Sequence, residues 1–434
     1  MNIKSIVIGI VIFIAGGLIS SYLLKDYIQD LALGELVGTA TLDEKDSSIQ
    51  EVPDSVLKPK ELLNPENKAK NIILLIGDGM SISQISAYRL INGGANSRIS
   101  LDQFPVTGIV LTHSANGIVT DSASSATAYS TGKKTNNGAL GLDEEKKNLE
   151  NLTETLDKFG FVSSLLATSE ITHATPAAFA AHVDLRWKTD EISLQMVNDS
   201  IVSTFLAGGR SFFLPEDKGG KRKDGIDLLD QVNSTHILLT NKEEMVNFDL
   251  SRKGKLFGLF SGEHLRNIDT PDNHSTEPEL AQMLDFALKR SEKFIDEGCD
   301  GFFIMAEGSQ VDWAGHVNNI EYLKREMSDF DSAAEWALEY AKSKRDTLVV
   351  VTADHETGGL LIEPPAPTKY EGNEVKISFN TAVGRGTHTG VPVPIYAYGP
   401  GSENFTGTLD NTDVYRAILS ALDLGDSRSS CVAN

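Results

Sequence analysis

Short, continuous apolar segments that run into Asp, Glu or His within a few residues are the feature that most constrains this chain. The first covers residues 71–76 and runs into Gly-Asp-Gly-Met at 77–80. A strand that is apolar at every position is typical of a sheet that is buried on both faces. Residues 71–76 are therefore predicted to form a central strand that ends in a tight turn.

Helical segments alternate with further strands of this kind. The predicted helix and strand pairs are residues 149–159 and 162–168, 277–296 and 301–306, and 320–342 and 347–352. Such alternation is typical of a mostly parallel sheet covered by helices on both sides. We therefore expect an α/β fold, a three-layer α/β/α sandwich around a large, mostly parallel central sheet. In that architecture, functional sites gather at the carboxyl ends of the strands.

The length of 434 residues predicts one large domain with elaborations, or two domains. We place the main domain at residues 69–425 and a C-terminal tail at 426–434. Within the domain, residues 208–260 are predicted to be a surface excursion, and their basic run at 218–225 a solvated loop. Residues 363–386 are predicted to form a hairpin or an edge strand on the rim.

The N-terminus indicates a compartment. Residues 5–24 form an apolar run between a short basic lead and Lys25. A secretory apolar region has about 7 to 15 residues and a spanning helix about 20, so this run has the length of an anchor. Residues 1–25 are predicted to be an N-terminal hydrophobic helix, either an uncleaved signal-anchor or a cleaved signal peptide, and residues 26–68 a linker. Either alternative places the main domain outside the cytoplasm, in the periplasm or at the cell surface.

The charge balance excludes some partners. Lys and Arg number 39 against 61 Asp and Glu, which leaves a net charge of -22. This balance argues against nucleic acid as a partner. It also argues against binding to an anionic membrane surface through bulk charge. The chain has two cysteines, Cys299 and Cys431, and their pairing stays open at this point.

A small, hydroxylic stretch is predicted to begin a helix at Asp121 and Ser122. Residues 121–128 read Asp-Ser-Ala-Ser-Ser-Ala-Thr-Ala. A helix start offers free backbone N–H groups that favour an anion, here beside the hydroxyl of Ser122. An isolated stretch of this kind usually does no more than cap and pack a helix. Together with the ligand residues described next, it leads us to interpret Ser122 as a nucleophile that attacks phosphate.

Carboxylate and imidazole side chains, the ligands that catalytic zinc takes, stand at or beside the ends of the apolar strands. They are Asp78; Glu307, Asp312 and His316; Asp354 and His355; and His388. Asp312 and His316 are four residues apart, which places both on one face of a helical turn. Each pair alone is a weak signal. Because a parallel sheet brings its strand ends into one crevice, we expect the residues together to complete two metal sites.

These residues resemble the motifs of the alkaline phosphatase family in order and separation. The resemblance covers about residues 71–424 and rests on Gly-Asp-Gly-Met at 77–80, the stretch 121–128, Ala-Thr-Pro-Ala at 174–177, Arg186, Glu-Gly-Ser-Gln-Val-Asp at 307–312 with His316, Thr-Ala-Asp-His at 352–355, and His-Thr-Gly at 388–390. It implies that the domain at 69–425 is catalytic. It further implies hydrolysis of small-molecule phosphate monoesters to alcohol and inorganic phosphate, with an alkaline pH optimum.

The resemblance also implies two zinc ions and one magnesium ion. The ligands that it assigns are Asp312, His316 and His388 for the first zinc, Asp78, Asp354 and His355 for the second, and Asp78, Thr175 and Glu307 for magnesium. Ser122, beside the second zinc, would form a covalent phosphoserine that water then hydrolyses. Arg186 would clamp two phosphate oxygens.

Two positions differ from the best-known bacterial enzyme of the family. His173 stands where that enzyme has aspartate, and Trp313 where it has lysine, whereas other members resemble this chain there. Like Asp121, these residues are expected to lie around the zinc ligands. The differences therefore bear on whether the third metal is magnesium or zinc and on phosphate binding. Trp313 is expected either to pack beside the site or to contact the substrate.

The remaining histidines have no ligand motif around them. Surface or satisfied core positions are expected for His113, His182, His236, His264 and His274.

Two alternative functions stay open. A sister hydrolase acting on phosphodiesters or sulfate esters would share the metal ligands. Arg186 and the lack of a Cys-x-Pro-x-Arg sulfatase signature favour monoesters. A non-catalytic surface protein that binds metal or phosphate is the second alternative. Because the family is often dimeric, a homodimer is a further expectation.

Overall fold

The computed structural model describes residues 37–41, 68–266, 276–382 and 385–431. The predicted N-terminal helix at 1–25, most of the predicted linker at 26–68, and His274 lie outside these ranges. None of the helices in the described ranges is long and apolar enough to cross a membrane.

The strands of the described ranges are β1 (Val37–Thr41), β2 (Asn71–Gly77), β3 (Val106–Leu111), β4 (Phe161–Glu170), β5 (Thr204–Gly208), β6 (Ile237–Leu239), β7 (Leu256–Leu259), β8 (Gly301–Gly308), β9 (Thr347–Thr352), β10 (Glu356–Thr357), β11 (Leu360–Glu363), β12 (Glu374–Phe379), β13 (His388–Thr389), β14 (Val393–Tyr398) and β15 (Gly407–Asp410). The α-helices are α1 (Ile82–Gly93), α2 (Ser122–Thr131), α3 (Leu152–Asp157), α4 (Ala174–Ala177), α5 (Thr189–Asn198), α6 (Leu228–Thr235), α7 (Lys242–Val246), α8 (Leu280–Asp296), α9 (Gln310–His316), α10 (Ile320–Lys344) and α11 (Asn411–Ala421).

A ten-stranded sheet forms the centre of the fold, in the order β15-β3-β14-β9-β2-β8-β4-β5-β7-β6. Its neighbouring strands are parallel except at β14, which runs antiparallel to both β3 and β9. All seven residues of β2 are buried. Because successive side chains of a strand point to opposite faces, both faces of the sheet are covered there. The predicted α/β sandwich around a large, mostly parallel sheet is therefore confirmed.

The segment 208–260 is only partly the surface excursion that was predicted. β7 pairs with β5, and β6 pairs with β7, so two strands of this segment extend the central sheet at its edge. They have three and four residues, too few to show a strand period in the sequence. The prediction is wrong for these two strands.

The basic run at 218–225 contains a buried arginine. The Arg222 side chain is 1% exposed, and its Nε donates to the Asp224 carboxylate over 3.2 Å. One of its terminal nitrogens donates to the backbone oxygen of Asp190 over 3.1 Å. The prediction of a solvated loop is therefore wrong for Arg222, because these partners compensate the desolvation of its charge.

Residues 37–41, within the predicted linker, form β1. This strand pairs antiparallel with β12, which pairs antiparallel with β11, to give a separate three-stranded sheet. β12 lies inside the stretch 363–386 that was predicted to form a rim hairpin. The linker prediction is wrong for residues 37–41, because a short isolated segment becomes a strand only when a partner strand satisfies its backbone.

Cys299 and Cys431 form a disulfide. It ties the C-terminal tail to the loop between α8 and β8, where Arg428 also forms an ion pair with Asp300 at 2.9 Å. The part of the predicted tail that the structure describes, residues 426–431, is thus attached to the domain.

Loss of this disulfide is expected to destabilise the protein without impairing the active site. The bond links residues separated by 132 positions, and Cys431→Ser should lower the free energy of unfolding by about 2–4 kcal/mol, mainly because the unfolded chain gains freedom. Denaturant titration of the oxidised wild type and of the variant measures this loss. The double variant Cys299→Ser/Cys431→Ser, which leaves no free thiol, should match the single variant. A midpoint equal to that of the oxidised wild type would contradict the expectation.

Candidate active site

Ser122 is the first residue of α2 and is 2% exposed. The Asp121 side chain caps this helix by accepting a hydrogen bond from the Ser124 N–H over 3.0 Å. All ten residues of α2 are buried, because its small side chains let it pack closely. The Ser125 hydroxyl donates to the backbone oxygen of Asp354 over 2.9 Å. The helix that carries Ser122 is therefore bonded to the segment that carries two predicted ligands.

The carboxylates reach the site from neighbouring parallel strands. In the register of the sheet, Ile76 of β2 lies beside Glu307 of β8 and Thr352 of β9. Asp78 follows β2 directly, and Asp354 lies two residues after the end of β9. The three carboxylates therefore meet at one edge of the sheet, as strand ends in a parallel sheet do.

Three groups of side chains have donor atoms that lie within 4.8 Å of one another. These are Asp78, Asp354 and His355; Asp312, His355 and His388; and Asp78, His173 and Glu307. The first group is the set predicted for the second zinc. The structure thus shares His355 between two groups and adds His173 to the third, neither of which was predicted from the sequence.

Asp312, His316 and His388, predicted for the first zinc, also lie together. The Asp312 carboxylate is 3.1 Å from His316 Nε2 and 3.6 Å from His388 Nε2. His316 Nδ1 donates to the Gly386 carbonyl over 2.6 Å, and His388 Nδ1 donates to the Thr120 carbonyl over 3.0 Å. In the neutral rings these bonds place the proton on Nδ1 and leave the Nε2 lone pairs facing Asp312.

Thr357 orients His355 in a similar way. Its hydroxyl donates to the Asp312 carboxylate, so it accepts from His355 Nδ1, 3.2 Å away. His355 Nε2 then carries a lone pair, and it lies 3.3 Å from the Ser122 hydroxyl and 3.2 Å from the Asp354 carboxylate. Burial lowers the pKa of His355 well below its ordinary value, which keeps the ring neutral. Thr357 was not predicted from the sequence, although it lies only two residues after His355.

Burial and mutual repulsion alter the pKa values of the clustered carboxyl groups. Burial, together with the Asp354 carboxylate, raises the pKa of Asp78 well above its ordinary value. Burial is also the main cause that raises the pKa of Glu307 to about 7 and that of Asp354 to about 6. At Asp312 burial acts in the same direction, but in the metal-free protein the protonated His316 ring donates to this carboxylate from Nε2 and, with the nearby histidines, holds its pKa below the usual range. A cluster of this kind becomes fully ionised only when cations balance it.

Arg186 lies beside Ser122 in a network of its own. It forms an ion pair with Asp121 at 3.2 Å and donates to His173 Nε2 over 3.2 Å. Burial and the charge of Arg186 lower the pKa of His173 to about 4, so the ring is neutral. Because Nε2 accepts from Arg186, the proton of this neutral ring is on Nδ1. In that tautomer Nδ1 has no lone pair for a metal.

Two residues that were not predicted as site residues, Glu170 and His264, lie next to the third group. His264 Nδ1 contacts the carboxylate of Glu170, the last residue of β4. The His264 ring lies 4.2 Å from the ring of Trp313 and 6.2 Å from that of His173. His264 was expected at a surface or satisfied core position, and it instead supports the site. Glu170 could have been found from its place at a strand end, whereas no local motif marks His264.

Three other histidines lie outside the three groups. His113 is 3.4 Å from Asp410 at the surface, and His182 is 3.1 Å from Glu154. His236 packs against the ring of Phe257.

A cavity of about 770 Å³ opens over these residues. Its lining includes Ser122, Arg186, Trp187, Trp313, Val317 and Arg385. Trp313 lines the cavity and also packs on His264, so both of its predicted alternatives stay open. The arrangement of a buried hydroxyl, clustered metal ligands and an arginine can bind and attack an anionic ester.

Comparisons with known proteins agree with this geometry. The alkaline phosphatase family profile matches residues 69–371 and 366–424. Alkaline phosphatase 4 of Bacillus subtilis is 33% identical over 427 residues, which cover 82% of this chain and 89% of that protein. The alkaline phosphatase of Escherichia coli is 32% identical and covers 83% of this chain, with 87% of its own length matched.

Among solved structures, the alkaline phosphatase from the Antarctic bacterium TAB5 superimposes with a TM-score of 0.73 and 35% identity. The match covers 83% of this chain and 100% of that one. A histidine-to-aspartate variant of the same enzyme has been solved with Mg bound in the M3 site. From the extent of these matches we conclude that this chain belongs to the alkaline phosphatase family of phosphatase hydrolases.

Proposed function

We propose that this protein hydrolyses phosphate monoesters to alcohol and inorganic phosphate through a covalent phosphoserine at Ser122. One observation carries the proposal: the Ser122 hydroxyl lies at a helix start, 3.3 Å from His355 Nε2, in a cavity that Arg186 also lines. The hydroxyl thus stands between a group of metal ligands and a cation that can hold the phosphoryl oxygens.

The residues present fit two zinc ions and one magnesium ion. Several buried oxygen atoms have no hydrogen-bond partner within the described ranges: both carboxylate oxygens of Asp78, Asp354 Oδ2, Glu307 Oε1 and Thr175 Oγ1. A buried polar atom without a partner is costly, and bound cations would satisfy these atoms. Asp312, His316 and His388 would hold one zinc, Asp78, Asp354 and His355 the other, and Asp78, Thr175 and Glu307 the magnesium.

The chain's own residues then perform two displacements at phosphorus. When bound, zinc would supply Lewis acidity that favours deprotonated oxygen nucleophiles and stabilises a departing oxygen. The Ser122 oxygen attacks phosphorus as the bond to the alcohol oxygen breaks and the alcohol takes up a proton. Water then attacks the phosphoserine, the bond between phosphorus and the serine oxygen breaks, and the Ser122 hydroxyl is restored. Inorganic phosphate leaves.

Arg186 positions the phosphoryl group in both steps. Its planar guanidinium can donate two parallel hydrogen bonds to non-bridging oxygens, which Lys cannot copy. The ion pair with Asp121, at 3.2 Å, fixes the guanidinium beside Ser122. Burial opposes ionisation of Asp121, but Arg186 and backbone hydrogen bonds hold its pKa below the ordinary value, so the pair stays charged. The free N–H groups at the start of α2 add to the stabilisation of negative charge.

Three p-nitrophenyl esters test this function. With zinc and magnesium present at alkaline pH, kcat/KM should be highest for p-nitrophenyl phosphate, well above bis(p-nitrophenyl) phosphate and p-nitrophenyl sulfate. Faster hydrolysis of the diester or the sulfate would favour a sister hydrolase. Release from none of the three would favour a non-catalytic binding protein.

His173→Asp is expected to tighten magnesium binding about tenfold or more. A carboxylate is the ligand type that Mg²⁺ prefers, whereas the His173 tautomer described above offers no lone pair at Nδ1. The Mg-bound histidine-to-aspartate variant of the TAB5 enzyme supports this expectation. Calorimetric titration of the metal-stripped variant with Mg²⁺ measures the affinity. His182→Asp, which changes a histidine outside the site, is the control, and equal affinities for wild type and His173→Asp would refute the expectation.

We further propose that the catalytic domain lies outside the cytoplasm, in the periplasm or at the cell surface, and that residues 1–25 attach it to the membrane if they are not cleaved. The disulfide between Cys299 and Cys431 supports an oxidising compartment. Cell fractionation, with mass spectrometry of the mature N-terminus, tests both statements. A homodimer is proposed from the family alone, and sedimentation of the purified protein tests it.

A further inference from the structure

The active-site cavity is lined by two arginines that differ in their partners. Arg186 is in an ion pair with Asp121 at 3.2 Å. Arg385 is exposed and lines the same cavity, but it makes no hydrogen bond or ion pair with a residue in the described ranges. The cavity therefore offers one guanidinium beside the nucleophile and a second one whose donors no residue of the described ranges satisfies.

Arg385 is held on the His316 side of the cavity. The next residue, Gly386, donates to the His316 carbonyl over 2.7 Å and accepts from His316 Nδ1 over 2.6 Å. A Cβ atom at Gly386 would lie 2.4 Å from the Gly315 carbonyl oxygen, so only glycine fits this close approach. The backbone that carries Arg385 is thus fastened to the helix turn that carries His316.

The other exposed residues that line the cavity carry no charge. Trp187 and Val317 line the cavity, and they are 71% and 58% exposed. Asn137 is also exposed there, and like Trp187 and Val317 it has no charge to pair with an anion. The protein as a whole has a net charge of -22, which repels a substrate with several negative charges. The Arg385 guanidinium counteracts that repulsion locally.

We propose that Arg385 forms an outer subsite that binds a second anionic group on the alcohol part of the substrate. The inference rests on the proposed function, in which the phosphoryl group lies between Ser122 and Arg186. The alcohol part then extends from the phosphoryl group towards the mouth. The substrates favoured by this subsite are phosphate monoesters of acidic alcohols, whose leaving group carries a carboxylate or another phosphate.

A matched pair of substrates tests the subsite. 3-Phosphoglycerate and glycerol 3-phosphate differ only in a carboxylate in place of a hydroxymethyl group. In Arg385→Gln the ratio of their kcat/KM values should fall by about three- to tenfold, the effect of one partly exposed charge pair. The value for glycerol 3-phosphate should fall much less than that for 3-phosphoglycerate, because its alcohol part carries no second anionic group that could pair with Arg385. Arg385→Lys should retain most of the ratio.

Two controls separate this effect from bulk charge. Lys253→Gln removes one positive charge at an exposed ion pair with Glu297 and should leave the ratio unchanged. In the wild type, high salt should reduce the ratio towards that of Arg385→Gln, because exposed charges are screened. An equal fall for both substrates in Arg385→Gln, or no change in the ratio, would overturn the subsite. Failure of the wild type to hydrolyse either ester would instead refute the proposed function, and the inference with it.

Discussion

Ser122→Ala is expected to lower kcat for phosphate monoesters by about 10³- to 10⁶-fold, the scale seen when an activated nucleophile is removed. The variant keeps Arg186 and the ligand groups, so it should still bind substrate, and KM should change much less than kcat. Some turnover should survive, because a water molecule can take the place of the missing hydroxyl. Steady-state kinetics with p-nitrophenyl phosphate measures both parameters.

The matched control for this variant is Ser130→Ala on the same helix. The Ser130 hydroxyl is buried and donates to the Ala178 carbonyl over 2.8 Å, so its loss should reduce stability by about 1 kcal/mol and leave kcat nearly unchanged. Acid quenching during turnover, followed by mass spectrometry, should find a phosphoryl group on the peptide that contains Ser122 in the wild type only. A Ser122→Ala variant that retains activity within tenfold of the wild type would refute the covalent route.

Removal of metal is expected to abolish activity and to lower the thermal midpoint in a pH-dependent way. The pKa values of Glu307 and Asp354 are raised to about 7 and about 6. In the metal-free protein these carboxyls bind protons more tightly when folded than when unfolded. Their contribution to stability is therefore full below the ordinary carboxyl pKa of about 4, and it is lost as the pH rises through about 6 to 7.

Bound metal should restore the stability that the metal-free protein loses as the pH rises. Each site occupied at about 1,000 times its dissociation constant adds about 4 kcal/mol to the free energy of unfolding. The gap between metal-loaded and stripped protein should therefore widen between about pH 5 and pH 8. Differential scanning calorimetry of both forms over this range measures it.

Asp78→Asn tests whether repulsion among the buried carboxylates destabilises the metal-free protein. Both carboxylate oxygens of Asp78 are buried without a hydrogen-bond partner in the described residues. The stripped variant should be more stable than the stripped wild type at alkaline pH, because one of the mutually repelling charges is gone. Equal midpoints for the stripped and metal-loaded wild type at alkaline pH, or a stripped form that gains stability as the pH rises, would contradict this account.

The central sheet could be predicted because its strands carry their signal locally. β2 and β9 are buried along their whole length and apolar at every position between their end residues, and they were predicted almost to the residue. β6 and β7 at the sheet edge have three and four residues. β7 depends on β5 as its partner and β6 depends on β7, and no local pattern reveals these pairings.

Much of the site follows from the same local signals. Asp78 and Asp354 lie within two residues of the ends of buried strands, Glu307 lies near the end of another, and parallel pairing brings all three to one edge. The tertiary structure alone decided that His355 belongs to two ligand groups, and that His173 enters the third. Thr357 and His264 lie in no ligand motif, and only their contacts with other segments reveal that they orient the site.

By itself, then, the sequence determined the α/β class, the order of the strands along the chain, the family and the chemistry of the side chains at the strand ends. Apolar runs and ligand residues are local properties of the chain. Only the tertiary structure decided the burial of Arg222, the pairing of Cys299 with Cys431 and the place of the Arg385 guanidinium in the active-site cavity. Each of these depends on segments distant in sequence, whose packing decides which charges find a partner and which stay free for a substrate.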